Sequence, residues 1–180
     1  MEYYYLLDEL VDMIDEPNRS CVVSLHRDNK DLFQLAKGSM KNHQDWVGGY
    51  LDHLTETMNI ATQFYSKLGN FRALPFTLSD AILVLDLHDL EKPWKYDEQS
   101  KIKEEFKERE YIKQFVDQKI AHYGFQLHDE HRNALLYIEG ELGMWSPDGR
   151  KQGPLAAFVH CCDTLSARLW WNEPKVRGRW

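Results

Sequence analysis

The feature that most constrains this chain is one long helical face in its first half. Between residues 47 and 68, apolar side chains recur at alternating spacings of four and three: Val47, Leu51, Leu54, Met58, Ala61, Tyr65 and Leu68. This spacing places them on one side of an α-helix. His53 belongs to a second row beside that face. We therefore predict a long helix that ends near Gly69-Asn70 and whose apolar face is buried against other helices.

Helical periodicity extends over most of the remaining chain. The short β-branched run at 21–25 is compatible with either a strand or a helical turn. We predict an all-α bundle of about seven helices that forms one domain over residues 1–180. Its predicted parts are an N-terminal helix at 2–14, a motif-bearing core at about 30–171 and a basic tail at 175–180. Within the core, helices are predicted at 30–37, from Thr77 to Pro93, at 97–122, at 127–139 and from Pro154 to about Trp171. The helix at 97–122 is either continuous or broken near Arg109.

Composition excludes several classes of protein. An apolar fraction of 43% and a charged fraction of 28% are typical of a folded globular chain. No apolar run approaches the ~18 residues of a membrane span, and the N-terminus lacks the basic segment of a signal peptide. The 3 cysteines form no disulfide framework, so we expect a cytoplasmic protein. A net charge of −7 makes polymeric nucleic acid a poor generic partner.

Three predicted helices carry metal-binding residue types on otherwise apolar faces. His53 lies beside the long face, His88-Asp89 ends the stripe of the helix that begins at Thr77, and Asp163 lies in the mostly apolar last helix. A buried carboxylate costs several kcal/mol unless it is paired or binds a cation. Two imidazoles and two carboxylates suit one divalent transition metal with positions left for water. Mn, Fe, Co, Ni and Zn are all compatible with these ligands.

The order of these motifs resembles that of the HD-domain metal-dependent phosphohydrolases, in particular the HD domains of bacterial 3′-to-5′ exoribonucleases and related proteins. Residues 48–53 (Gly-Gly-Tyr-Leu-Asp-His) are similar to the family's Gly-Gly-Leu-Leu-Glu-His. Residues 87–92 (Leu-His-Asp-Leu-Glu-Lys) are similar to its His-Asp-Ile-Gly-Lys. Residues 139–147 are similar to its loop that ends in Ser-Pro, and residues 155–168 to its final helix. Agreement of several ordered motifs is more specific than any one of them.

The resemblance implies a phosphohydrolase that hydrolyses a nucleotide phosphate ester or anhydride by a metal-activated water. Deoxynucleoside mono- or triphosphates are the favoured substrates. The implied metal ligands are His53, His88, Asp89 and Asp163. Asp89 and Lys92 are the implied catalytic residues. Expected phosphate contacts are Lys92, Lys95, Arg150 and Lys151, with Trp94 and Trp145 as candidate base-stacking surfaces.

Departures from the family pattern narrow this hypothesis. The extra His pair of two-metal members aligns with Ile138-Glu139, and the Asp that follows their final motif aligns with Ser166. One metal is therefore expected rather than two. The family's separate nucleic-acid-binding domain has no counterpart, which favours small substrates. The alternatives are a phosphodiesterase or 3′-5′ exonuclease on cyclic or oligonucleotides, and a non-catalytic nucleotide-binding protein with the HD fold. The 6 tryptophans are compatible with a homo-oligomer interface.

Several other polar residues have simpler interpretations. His128-Asp129 is a second His-Asp dipeptide, but no apolar stripe leads into it. We therefore expect Asp129 to cap a helix, with His128 and His131 in its exposed first turn. His43 either orients a ligand or packs beside Trp46, and the sequence favours neither. Glu91 is expected to face solvent.

Overall fold

The computed structural model describes residues 3–39, 43–97, 101–141 and 149–170. These residues form nine α-helices and one 3₁₀ turn at Glu104–Lys107. The helices are α1 (Leu7–Val11), α2 (Asn18–Asp28), α3 (Lys30–Leu35), α4 (Gly49–Gly69), α5 (Leu78–Leu87), α6 (Lys92–Lys95), α7 (Arg109–Tyr123), α8 (Asp129–Tyr137) and α9 (Pro154–Leu169). The predicted all-α class is confirmed, because the described residues contain no β-strand beyond an isolated bridge between Tyr96 and Ile102.

Three predicted helices are shorter than their sequence pattern suggests. The helix predicted from Thr77 to Pro93 ends at Leu87, and Pro93 lies in the next helix, α6, instead of ending this one. The predicted helix at 2–14 is helical only from Leu7 to Val11. The charged segment 97–122 is helical only from Arg109, because Ile102 bridges to Tyr96 and Phe106 turns inward onto the rings of Tyr111 and Phe115. The β-branched run at 21–25 lies inside α2 and is helical. The result is a larger number of shorter helices than the predicted seven.

The core lies where α4, α5 and α9 pack against one another, with α8 packed on α9. Helix α4 ends at Gly69, as predicted, and buries the middle of its apolar face, namely Leu54, Met58 and Ala61. The first and last residues of the predicted face, Val47 and Leu68, remain exposed, and Val47 precedes the helix. The candidate metal ligands are therefore brought in by the three helices that form the core.

Helix α5 is the central element. Every residue from Ala81 to Leu87 is buried, and the one charged residue among them, Asp86, lies 2.9 Å from His26 Nε2. Its start is fixed by the predicted capping box: Thr77 Oγ1 accepts a hydrogen bond from the Asp80 backbone NH at 3.1 Å, and the Thr77 NH donates to Asp80 Oδ2 at 2.7 Å. The buried helix then delivers His88 and Asp89 at its C-terminal end.

The loop before α4 is held tightly against the first turn of that helix. A Cβ on Gly49 would lie 2.0 Å from the carbonyl oxygen of Gln44, so only glycine fits this position. Gln44 has a φ of 42°, and its carbonyl also accepts from the Gly38 NH at 3.1 Å. This close approach brings His43 and Gln44 beside His53.

Among the described helices, none is both long and apolar enough to cross a membrane.

Candidate metal centre

The structure brings all four predicted metal ligands together. His53 comes from α4, His88 and Asp89 follow α5, and Asp163 comes from α9. His53 Nε2 lies 3.1 Å from Asp163 Oδ1 and 3.5 Å from Asp89 Oδ2. His88 Nε2 lies 3.1 Å from Asp89 Oδ2 and 3.7 Å from Asp163 Oδ1. Both imidazoles and both carboxylates therefore face one small volume.

The hydrogen bonds behind the two histidines fix which nitrogen faces that volume. His88 Nδ1 lies 2.7 Å from the Leu85 carbonyl oxygen, which can only accept, so Nδ1 carries the proton. His53 Nδ1 lies 3.1 Å from Ser166 Oγ. The two Nε2 atoms then lie 3.3 Å apart on the side of the two carboxylates, where either a proton or a metal ion can be shared between them.

A buried chain of polar side chains orients His53. Ser166 Oγ donates to Glu56 Oε2 at 2.6 Å, so the hydroxyl must accept from His53 Nδ1–H. Gln44 Nε2 also donates to Glu56 Oε2, at 2.6 Å. All of these side chains are buried. A carboxylate that acts through a hydroxyl on the far nitrogen of an imidazole is the kind of support that metal-binding histidines have.

The sequence patterns do not indicate this support. In them Ser166 only stands where the family has an aspartate, and Glu56 belongs to no motif. One signal was available: Glu56 lies three residues after His53, on the same side of the long helix, where a charged residue needs a partner. The partner itself could not be read from local spacing, because Ser166 is 110 residues away.

The pKa values of the two histidines are shifted in opposite directions. Burial lowers the pKa of His53. Burial alone would also lower the pKa of His88, but the carboxylates of Asp89 and Asp163 outweigh it and hold that pKa well above its usual range. Burial would raise the pKa values of both carboxyls, yet the facing histidines hold them well below their usual range, with help from Lys92 at Asp89. Both carboxylates therefore stay ionised and available to a cation.

Lys92 and Glu91 lie at the edge of the centre. The Lys92 ammonium contacts Asp89 Oδ2 directly, and only 15% of the lysine side chain is exposed. Glu91, expected to face solvent, is buried instead, and burial together with Asp89 raises its pKa. Its carboxylate lies 3.4 Å from Lys95 Nζ. The segment after α5 thus packs against the site because α6 begins at Lys92 and turns back toward the core.

The structure resolves the two interpretations of His43 in favour of contact with the site. Its ring is buried and stacks on His53, with centroids 4.7 Å apart and planes at 29°. Burial and the neighbouring His53 lower the pKa of His43 to about 4. His43 is therefore neutral at physiological pH and supports His53 by packing.

Of the other predicted substrate contacts, some lie beside the candidate metal centre and others lie on exposed or packed segments. Lys95 lies next to the centre through its ion pair with Glu91. Arg150 and Lys151 lie on the exposed segment before α9, where the Lys151 NH donates to Glu141 Oε1 at 2.9 Å. Trp94 packs against Phe33 and Phe115, and the ammonium of Lys119 lies 4.2 Å from its ring centroid. These three contacts leave little of the Trp94 ring for a base. Trp145 lies outside the described residues.

A cavity of about 570 Å³ adjoins the centre, between the end of α5 and helices α7 and α8. His88 and Glu91 line its inner side. Its lining also includes three basic side chains, Arg109, Lys113 and Arg132, and two further acidic ones, Glu110 and Asp117. The volume is in the range of small-molecule sites. The sequence did not single out these basic residues, because they belong to charge-rich, mostly exposed helical faces.

The residues present fit a divalent transition metal. The two Nε2 atoms are 3.3 Å apart, which is the separation of two ligands at ~2.0–2.1 Å from one tetrahedral metal ion. Two imidazoles with oriented far nitrogens and two ionised carboxylates form a usual ligand set for such ions. The cluster could therefore hold a metal ion: the ligand atoms of His53, His88 and Asp89 all lie within 4.8 Å of one another, and Asp163 Oδ1 lies 3.1 Å from His53 Nε2. These ligands do not select among the five candidate metals.

Replacing Ser166 with alanine tests the buried support of His53. The change removes the acceptor of His53 Nδ1–H and leaves Glu56 with one donor fewer. Loss of such a partner weakens metal binding by roughly 10–100-fold. Isothermal titration with Co²⁺ or Zn²⁺ measures the change, and Thr164→Ala on the exposed side of the same helix is the control. Wild-type affinity in Ser166→Ala would contradict the assigned role.

Comparison of the chain with protein-family models, with curated proteins and with solved structures finds no match. The inference of function therefore depends on the residues and the geometry of the site.

Proposed function

We propose that this protein is a metal-dependent phosphohydrolase of the HD type that acts on nucleotides. The observation that carries the proposal is the convergence of His53, His88, Asp89 and Asp163 on one volume, with a buried lysine at its edge. The motifs around these residues have the order found in HD-domain phosphohydrolases.

His53, His88, Asp89 and Asp163 would hold the metal. When bound, a divalent metal lowers the pKa of a coordinated water and polarises a phosphoryl oxygen. The protein supplies the rest. Asp89, kept ionised by His88 and Lys92, can accept a hydrogen bond from the attacking water and orient it. The Ser166–Glu56 pair holds the ring of His53 in place.

Lys92 supplies positive charge for the phosphoryl group. Its ammonium contacts Asp89, and its pKa is raised because nearby carboxylates, Asp89 first, outweigh the effect of burial. It is therefore charged at neutral pH. A phosphate oxygen at the edge of the centre would share this ammonium with Asp89, and the charge would stabilise the negative charge on the phosphoryl oxygens.

Small nucleotides are the proposed substrates. The cavity beside His88 has the size of a small-molecule site, and its lining carries three basic residues that can contact phosphate oxygens beside three acidic ones. The net charge of −7 disfavours long polyanions. Deoxynucleoside mono- and triphosphates come first, and a phosphodiesterase acting on cyclic or short oligonucleotides is the enzymatic alternative.

A hydrolysis screen across several divalent metals tests the proposal. Release of inorganic phosphate or tripolyphosphate from a panel of nucleotides is the expected result, and it must disappear with a chelator and in His53→Ala. Shortening of labelled RNA without phosphate release would favour the phosphodiesterase. Metal-loaded protein that hydrolyses no member of either panel would contradict both and favour a nucleotide-binding protein.

A further inference from the structure

A second cluster of metal-binding side chains lies at the opposite end of α5. Asp80, in the first turn of α5, faces His128 and His131 at the start of α8. Their ligand atoms all lie within 4.8 Å of one another. His88 follows Asp80 by eight residues along α5, so the helix separates this cluster from the candidate metal centre by ~12 Å at 1.5 Å per residue.

The two histidines converge on one oxygen of the Asp80 carboxylate. Asp80 Oδ2 is used by the helix cap, since it accepts from the Thr77 NH and hydroxyl at 2.7 and 2.8 Å. Asp80 Oδ1 is left for the histidines: it lies 2.9 Å from His131 Nε2 and 3.5 Å from His128 Nε2. The two rings stack with centroids only 3.6 Å apart. Both Nε2 atoms therefore point the same way.

This arrangement contradicts the expectation that both histidines lie in an exposed turn. His131 is buried, with 3% of its surface exposed, because α8 packs against α5. Its Nδ1 has no hydrogen-bond partner within the described part of the chain. Its Nε2 lies 2.9 Å from Asp80 Oδ1, so without a metal this nitrogen donates to the carboxylate, and a bound metal would take the place of that proton. Half of the His128 side chain is exposed, which leaves the cluster open to ions from solvent.

The position of Glu130 indicates which nitrogen of His128 is available. Glu130 Oε2 lies 2.8 Å from His128 Nδ1 and can only accept, so Nδ1 carries the proton. In a neutral ring, His128 Nε2 then carries no proton, and its lone pair faces Asp80 Oδ1. A carboxylate on the far nitrogen is a recurrent feature of metal-binding histidines.

We propose that Asp80, His128 and His131 form a second site for a divalent transition metal of the zinc class. Two imidazole nitrogens and one carboxylate oxygen provide three ligands, and water completes the coordination. The site joins the N-terminal ends of α5 and α8, so its role is to hold these two helices together. It lies apart from the candidate metal centre and takes no part in the proposed hydrolysis.

Metal stoichiometry tests this site. The full chain is equilibrated with a small excess of Zn²⁺, freed of unbound ion, and its zinc is counted by elemental analysis. His128→Ala is expected to lose one equivalent relative to wild type, while the neighbouring Asp129→Ala loses none. If the candidate metal centre binds no zinc, wild type holds one equivalent and His128→Ala holds none, so failure of one site is distinguishable from failure of the other.

A second measurement tests whether zinc at this site stabilises the fold. Zn²⁺ is expected to raise the melting temperature of wild type and Asp129→Ala by more than that of His128→Ala or His128→Gln. Equal zinc content and an equal thermal shift in wild type and His128→Ala would overturn the proposal.

Discussion

Replacing Asp89 with alanine is expected to abolish both metal binding at the candidate metal centre and turnover. The change removes one of the two carboxylates that face His53 and His88, and with it the group that orients the attacking water. Elemental analysis and the nucleotide assay measure the two effects. A His128→Ala background removes the second proposed site from the count. Asp129→Ala, in the exposed His-Asp dipeptide, is the control and should change neither quantity. Loss of metal in Asp129→Ala with retention in Asp89→Ala would reverse the site assignment.

The same replacement is expected to destabilise the fold. Asp89 contacts the mostly buried ammonium of Lys92, and removal of the carboxylate leaves that charge without its nearest partner. Breaking a buried ion pair in this way costs about 3–5 kcal/mol. The free energy of unfolding, measured in urea, should therefore fall. Adding Lys92→Met should restore much of the stability, because both charges are then gone, but it should not restore metal binding.

Lys92→Ala alone is expected to lower turnover without lowering the metal content. An ammonium is not a ligand, so the metal content should equal that of wild type. Turnover should fall by roughly 10²-fold, because the charge that stabilises the phosphoryl oxygens is lost. Steady-state kinetics on the best substrate of the panel measure the effect, and Lys107→Ala, on the exposed 3₁₀ turn, is the control. Unchanged turnover in Lys92→Ala would mean that the lysine serves only to pair Asp89.

Much of the fold was predictable because its strongest signals are local. The α4 face follows from spacing, the start of α5 from a capping box within four residues, and the end of α4 from a glycine. The charged segment 97–122 was harder. Its break depends on the inward turn of Phe106, which is a tertiary contact rather than a periodic signal.

The candidate site was predictable to the same extent. Polar residues that end or flank apolar stripes, such as His53 and Asp163, need a partner when buried, and the order of the family motifs distinguishes them from others such as Glu56. The residues that support them were not predictable, because Ser166 meets Glu56 only once α9 packs on α4. The burial of His131 was missed for a related reason: the apolar surface that covers it belongs to another helix.

Anomalous diffraction from crystals of the cobalt-loaded protein tests the candidate metal centre most directly. A peak is expected between α4, α5 and α9, in contact with Nε2 of His53 and His88 and with carboxylate oxygens of Asp89 and Asp163. A crystal with cobalt bound elsewhere and no peak within reach of these four side chains would contradict the assignment of the centre and the hydrolase function built on it.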